Sequence, residues 1–253
     1  MTKTVVIIPA LNEGENIRQL VLDTYAAADV EVIVVDNGST DSTTAEASAA
    51  GARVVREPRR GYGYACAAGV AASQDADILV FMDGDHSFSP SDLSALRMPL
   101  FDDQADMVLG SRKLGTIEPG AMFPQQRFGN WLVSCLTNLL YGIHITDLGP
   151  YRAIRKSLLM QLDLQEMTFG WPTEMIVKSA RHCARIVEVP VRYSNRRFGE
   201  SKVSGTIRGT TLAGWHILNV TFRYAWRRSP EVNYAYGGVS KDDDGNGKSV
   251  NAP

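Results

Sequence analysis

Residues 4–36 read TVVIIPALNEGENIRQLVLDTYAAADVEVIVVD: two apolar, β-branched runs, Thr4–Ile8 and Glu31–Val35, enclose Ile17, Leu20, Val21 and Tyr25 at helical spacing. Continuously apolar strands separated by helices of this length indicate a parallel sheet covered on both faces. The pattern recurs downstream, with strands expected at Ala52–Val55, Ile78–Met82 and Met107–Gly110. Helices are expected in the Ala-rich stretch after Gly61 and through Leu93, Leu96 and Leu100. Asp41 and Ser89-Pro90-Ser91-Asp92 read as helix starts. The second half is less regular, with an amphipathic helix over Gln126–Tyr141, a strand over Ile186–Tyr193 and a helix over Thr206–Trp226. The fold class is therefore α/β: a Rossmann-like, mostly parallel central sheet flanked by helices, with C-terminal amphipathic helices. Residues 229–253 hold too little apolar content to order themselves and read as a disordered tail.

The 253 residues carry 26 Lys+Arg against 28 Asp+Glu, a net charge of -2, and are 44% hydrophobic. This is an ordinary globular composition with ample chain for a core. Near-neutrality excludes a protein that coats nucleic acid along its whole surface. Cys66, Cys135 and Cys183 lack CxxC spacing, which argues against a disulfide framework or zinc knuckle and for a reducing, cytoplasmic setting. The N-terminus enters a strand at once, unlike a signal peptide. No apolar run approaches the roughly 18–20 residues of a membrane span, so the chain reads as soluble or at most peripheral. The charge is uneven: residues 1–180 hold 14 Lys+Arg against 22 Asp+Glu, and residues 181–228 hold 10 against 2.

Three loops carry the chemistry. Pro9-Ala10-Leu11-Asn12-Glu13 follows the first strand, at the end where doubly wound sheets bind ligands. It is no GxGxxG turn, and Gly61-Tyr62-Gly63 with the distant Gly69 does not supply one, which argues against a dinucleotide-binding dehydrogenase. It also lacks the glycine-rich, basic phosphate loop of a nucleotidyltransferase. The second strand ends in Asp36-Asn37-Gly38-Ser39-Thr40-Asp41, where a carboxylate can accept from a base N–H or a ribose hydroxyl; a plain Asn-Gly turn explains the same residues. The third loop, Asp83-Gly84-Asp85, follows the buried run Ile78–Met82. Paired carboxylates there suit Mg²⁺ or Mn²⁺, which prefer hard oxygen ligands completed by substrate phosphates.

PALNEGEN, VVDNGSTDST, the Gly61–Gly69 stretch and MDGDHSFSP occur in the order found in family 2 glycosyltransferases of the GT-A fold. Gly110-Ser111-Arg112, Thr146-Asp147-Leu148-Gly149-Pro150-Tyr151-Arg152, Glu188-Val189-Pro190-Val191 and the segment from Arg196 to Lys202 resemble the polyprenyl- and dolichyl-phosphate sugar synthases. The resemblance covers about residues 4–228. It implies a GT-A domain over 1–228, with a nucleotide and metal half at 1–115 and an acceptor half at 116–228. It further implies a nucleotide cradle of Pro9, Ala10, Asn12, Glu13, Asp36, Gly38, Gly61, Asp83 and Gly84, and metal ligands Asp83 and Asp85. Arg112, Arg127, Arg196 and Lys202 form the basic set for an acceptor phosphate, as planar guanidinium forks suit phosphate oxygens. Two departures stand out: Asp147-Leu-Gly-Pro-Tyr-Arg152 replaces an Asp-x-Thr-Ser-Gly-Phe-Arg-like segment, and Ser87 stands where relatives often carry Gln. His86 reads as a neighbour of the metal loop rather than a ligand.

The expected reaction is inverting transfer of a hexose from UDP- or GDP-hexose to a polyprenyl phosphate. Such an acceptor is already anionic and needs no general base. A hydroxyl acceptor on a soluble molecule, glycan or lipid is the alternative and requires a carboxylate base, with Glu174 first and Asp147 second. Glu174 reads equally well as a helix N-terminal carboxylate. A non-catalytic sugar-nucleotide-binding protein is the remaining alternative. Apolar stripes run through Phe128, Trp131, Leu132, Leu136, Leu139 and Leu140, and through Ile207, Leu212, Trp215, Ile217, Leu218, Phe222 and Trp226, the second beside Arg208, Arg223, Arg227 and Arg228. They are expected to touch the inner face of a membrane peripherally, against packing on the sheet or a homodimer contact as the plain readings.

Overall fold

The computed structural model describes residues 2–199 and 207–225, the latter by backbone alone over 207–213. The described residues form seven strands and eight α-helices, in chain order β1 Thr4–Ala10, α1 Gly14–Ala27, β2 Glu31–Asp36, α2 Thr43–Ala49, β3 Arg53–Arg56, α3 Tyr62–Ala72, β4 Ile78–Phe81, α4 Leu93–Phe101, β5 Met107–Ile117, α5 Pro124–Tyr141, β6 Arg152–Arg155, α6 Lys156–Leu162, α7 Trp171–Arg181, β7 Ile186–Tyr193 and α8 Ile207–Arg223. The strands form one sheet in the order β3-β2-β1-β4-β6-β5-β7. β1 pairs in parallel with β2 and β4, and β5 in parallel with β7, whereas β6 runs antiparallel between β4 and β5.

Alternation along the strands builds two cores. Val6, Ile8, Val32 and Val34 pack under Ile17 and Leu20 of α1 and Leu96 of α4. Val5, Ile7, Ile33 and Val35 face the other way, against Cys66 of α3 and Trp171 and Met175 of α7. The anticipated strands are present, although β5 runs on to Ile117 and β6, α6 and the body of α7 are additions. The start at Asp41 is displaced: α2 begins at Thr43. Asp41 instead accepts from the Thr43 N–H and, across the loops, from the Gly14 N–H (both 3.0 Å), so it ties the starts of α1 and α2 together.

The apolar stripe of α5 is not core. Its buried residues are Val133, Ser134 and Thr137, whereas Phe128, Trp131 and Leu139 are 61%, 50% and 81% exposed. Leu132, Leu136 and Leu140 are half-buried, so packing accounts for that part of the stripe and leaves Phe128, Trp131 and Leu139 facing outward. On α8, Trp215 and Phe222 are exposed while Val220 is buried. Ile207 and Leu212 lie where only backbone is described; Trp226 and the tail expected to be disordered lie outside the described residues.

Candidate active site

β1 and β4 are neighbours whose following loops lie at the switch point of the sheet, where strand order departs from both sides of β1. The loops after β1 and β2 are knitted together. The Asn12 N–H donates to Ser39 Oγ (2.9 Å), Asn12 Oδ1 accepts from the Thr40 N–H (2.8 Å), and the Glu13 N–H donates to Thr43 Oγ1 (2.8 Å). Buried Asp36 accepts from the Ser39 N–H (2.8 Å). Asn37 donates to the carbonyls of Glu57 and Arg59 and accepts from the Gly61 N–H (2.9 Å). Gly61 has φ +150°, and a Cβ there would stand 2.5 Å from the Met167 carbonyl oxygen, so only glycine fits this turn into α3. The turn delivers Tyr62, whose hydroxyl donates to Asp83 Oδ1 (3.3 Å).

The loop after β4 brings Asp83 and Asp85 to the same crevice, of about 510 Å³. Gly84 between them lies against β1, where a Cβ would approach the Pro9 carbonyl oxygen to 3.2 Å. Burial, with the neighbouring Asp85 charge, pushes the Asp83 carboxyl up to about 7. Asp85 Oδ1 accepts from the Ser87 N–H (3.0 Å) and Ser87 Oγ (2.6 Å), so Ser87 turns its hydroxyl back onto the carboxylate. Asp85 Oδ2 meets Arg196 Nη2 at 3.0 Å, while Arg196 Nη1 meets Glu13 Oε1 at 2.9 Å. His86 pairs with Asp23 (2.9 Å), the setting of a neighbour of the loop. A desolvated carboxylate pair of this kind fits a hard divalent cation. Among the described residues no three His, Cys, Asp or Glu side chains form a protein-only cage.

The opposite wall is basic. Arg112 on β5 lies over the Tyr193 ring (5.1 Å) and is held by Asp147, whose Oδ2 accepts from the Arg112 N–H (2.7 Å) and Nε (2.8 Å) and whose Oδ1 accepts from Nη2 (2.7 Å). Burial raises the Asp147 carboxyl, but the Arg112 hydrogen bonds and charge outweigh it and hold it below the usual range. Glu188 fixes this loop from behind, accepting from the N–H groups of Thr146 and Asp147.

The two residues expected to act as base have other settings. Asp147 is 1% exposed and wholly engaged with Arg112. Glu174 is fully buried on α7; its Oε1 accepts from Tyr224 Oη (2.6 Å) and Lys178 Nζ (2.9 Å), and its Oε2 from the N–H groups of Gln165 and Glu166. It clasps α8 and the preceding loop to α7, which corrects the expectation of a base facing substrate. Pro9, Ala10, Glu13, Gly61, Asp83, Gly84, Asp85, Arg112 and Arg196 line the crevice. Asp36 and Gly38 instead line a neighbouring depression with Arg56 and Pro58. Asn12 is exposed beside it, and exposed Arg127 on α5 directs Nε to the Met122 carbonyl (3.4 Å), so neither joins the crevice. Lys202 lies outside the described residues.

Sequence reasoning passed over Tyr62, Arg60, Tyr193 and Ile217, which also line the crevice. Arg152, which ends the Thr146–Arg152 segment but was given no role there, is a fully buried guanidinium that donates to the carbonyls of Leu148, Gly149, Pro150 and Pro172. The position of Tyr62 after Gly61 was a signal in the sequence as well.

A carboxylate pair at the switch point of a mostly parallel sheet, with one antiparallel strand set between β4 and β5, defines a transferase of the GT-A fold. Residues 5–177 match the profile of glycosyl transferase family 2, and the chain belongs to that family. An uncharacterized glycosyltransferase of Mycobacterium tuberculosis is 36% identical over 218 residues, spanning 85% of this chain and 97% of that one. The undecaprenyl-phosphate mannosyltransferase of Micrococcus luteus is 32% identical over 237 residues, spanning 87% of this chain and 93% of that one. Among solved structures, glucosyl-3-phosphoglycerate synthase from Mycobacterium tuberculosis, in complex with Mn²⁺, UDP and glucosyl-3-phosphoglycerate, superposes with a TM-score of 0.70 at 22% identity. It covers 88% of this chain and 80% of that one. The protein is a glycosyltransferase.

Proposed function

We propose that the protein transfers a hexose from UDP- or GDP-hexose to a polyprenyl phosphate, with inversion at the anomeric carbon. The carrying observation is that the Asp83/Asp85 pair and the guanidinium groups of Arg112 and Arg196 face one crevice. Carboxylates there suit a cation and the basic wall suits a second anionic group. Asp147 and Glu174 are each consumed by internal partners, so an acceptor that arrives as an oxyanion fits better than one that must lose a proton. The similarity to an undecaprenyl-phosphate mannosyltransferase supports the same acceptor class.

In this reading Pro9, Ala10, Glu13 and Gly61 hold the nucleotide, with Asn12, Asp36 and Gly38 buttressing or extending that cradle. Asp83 and Asp85 hold Mg²⁺ or Mn²⁺. When bound, the cation neutralises the departing diphosphate as a Lewis acid. Arg112 and Arg196 orient the acceptor phosphate, and Asp147 fixes the Arg112 fork; Arg127 and Lys202 add charge along the approach. Residues 1–115 form the donor half of a GT-A domain over 1–228, and 116–228 the acceptor half. The outward aromatic residues of α5 and α8 meet the inner face of a membrane from the cytoplasm, without crossing it. No helix among the described residues is long and apolar enough to cross one.

A donor screen with Mn²⁺ and a short polyprenyl phosphate, read by mass spectrometry, tests the proposal. A polyprenyl-phosphohexose product supports it. Transfer only to phosphoglycerate, the acceptor type of the solved neighbour, or only to a hydroxyl acceptor overturns the choice of acceptor.

A further inference from the structure

Arg196 sits in an unusual place for a residue that meets substrate. Its guanidinium is bound on two edges, by Asp85 through Nη2 (3.0 Å) and by Glu13 through Nη1 (2.9 and 3.1 Å). All three side chains are largely withdrawn from solvent, at 20%, 15% and 8% exposure. Ser87 already fills Asp85 Oδ1 with two hydrogen bonds, so Oδ2 is the oxygen left for a further partner. A cation coordinated by Asp85 would need that same oxygen. The base of the arm that carries Arg196 is pinned independently, since the Asn195 N–H donates to Glu118 (2.7 Å) and Asn195 Nδ2 to the Pro119 carbonyl (3.1 Å). The guanidinium can therefore leave Asp85 by side-chain rotation alone, with Glu13 still holding its other edge.

We propose that Arg196 is an internal counter-cation of Asp85 that a divalent metal displaces, and that displacement frees one guanidinium edge for a phosphate group in the crevice. The idea rests on Asp83 and Asp85 being the metal ligands. Its physical basis is competition of two cations for one carboxylate oxygen, strengthened by repulsion between the incoming ion and the guanidinium it replaces. The basic wall thus reaches full strength only once the metal is in place, and a phosphate arriving earlier finds Arg196 already occupied by carboxylates.

Two measurements without nucleotide or turnover test this. The first is Mn²⁺ titration by electron paramagnetic resonance at pH 8, comparing wild type, Arg196→Gln and, as a charge control, Arg18→Gln, whose exposed arginine pairs with Glu46 of α2. Removing the competitor is expected to tighten Mn²⁺ binding about tenfold in Arg196→Gln and to leave Arg18→Gln unchanged. The second is phenylglyoxal modification of the wild-type protein, mapped by peptide mass spectrometry. Mn²⁺ is expected to speed modification of Arg196 severalfold and to leave Arg18 unaffected. Equal or weaker Mn²⁺ binding by Arg196→Gln, or an Arg196 reactivity that Mn²⁺ does not raise, overturns the proposal while the metal site stands. Absence of Mn²⁺ binding to wild type and variant alike overturns the proposal, and the metal site falls with it when UDP added to the same titration does not restore binding.

Discussion

Replacing Asp147 by Asn keeps every atom position and removes one charge. The carboxylate receives three hydrogen bonds from Arg112, two on Oδ2 and one on Oδ1. An amide has one acceptor oxygen, so its better orientation keeps the Oδ2 pair and points an NH₂ group at Arg112 Nη2. One charge-assisted hydrogen bond is lost, worth about 1.5–3 kcal/mol. The guanidinium, 13% exposed, is also left without its counter-charge. Breaking a buried pair from one side costs about 3–5 kcal/mol in all. A domain of this size is stable by about 5–15 kcal/mol, so Asp147→Asn should fold at 25 °C. At about 2–4 °C per kcal/mol its Tm should fall by roughly 6–20 °C. Urea denaturation and thermal melts followed by circular dichroism measure both. The double variant Asp147→Leu, Arg112→Met removes the charge imbalance and should recover part of the loss, while transferase activity stays low because Arg112 is gone. A loss below about 1 kcal/mol in Asp147→Asn would falsify the assignment of a buried, mutually dependent pair. So would a double variant no more stable than the single one.

Three further expectations follow from the same physics. Hydrogen bonds from Tyr224, the Glu166 N–H and Lys178 outweigh the effect of burial and hold the Glu174 carboxyl below its usual range, so its contribution is full above the ordinary carboxylate pKa of about 4 and fades as pH falls through the depressed value. Glu174→Gln should thus cost about 3 kcal/mol in urea at pH 7, and the gap to wild type should shrink at pH 3; a constant gap would contradict the clasp. Gly61→Ala forces a Cβ against the Met167 carbonyl and should cost at least about 2 kcal/mol in the same assay, with an unchanged midpoint counting against the turn described. Phe128→Ser with Trp131→Ser should lower co-sedimentation with anionic liposomes at low salt and shift stability by no more than about 1 kcal/mol, since both side chains are exposed. Wild type recovered wholly in the supernatant would remove the membrane reading, and a dimer on gel filtration would give the face another use.

The carboxylate loops were legible in the chain because their signals are local. Val32–Val35 and Ile78–Phe81 announce buried strands, and Asp36, Asp83 and Asp85 stand at or just past their ends. The opposite wall of the crevice was less so. In β6, Arg152 and Arg155 bracket only Ala153 and Ile154, which gives neither alternation nor an apolar run. Its central place depends on a buried arginine satisfied by four carbonyls from other loops. Glu174 could be read as base or as helix-end carboxylate, and the decision lay in Tyr224, 50 positions away. Arg196 reads as substrate-facing by motif, whereas its partner Glu13 lies 183 positions distant. Pairings across such separations exist only after the sheet has closed.

The insertion of β6 between β4 and β5 also bears on how the chain assembles. Through residue 117 the growing polypeptide has made β1 to β4 and β5, yet β5 pairs with β6 and β7 alone, and β4 presents a bare edge until residues 152–155 arrive. The segments before and after residue 117 are thus not independent folding units. A fragment ending near residue 117 would expose a long, apolar strand edge of the kind that recruits other chains. The strand that enters the middle of the sheet late is the one that removes this hazard, so the arrival of residues 152–155, rather than any early helix, sets the point at which the edge of β4 is covered.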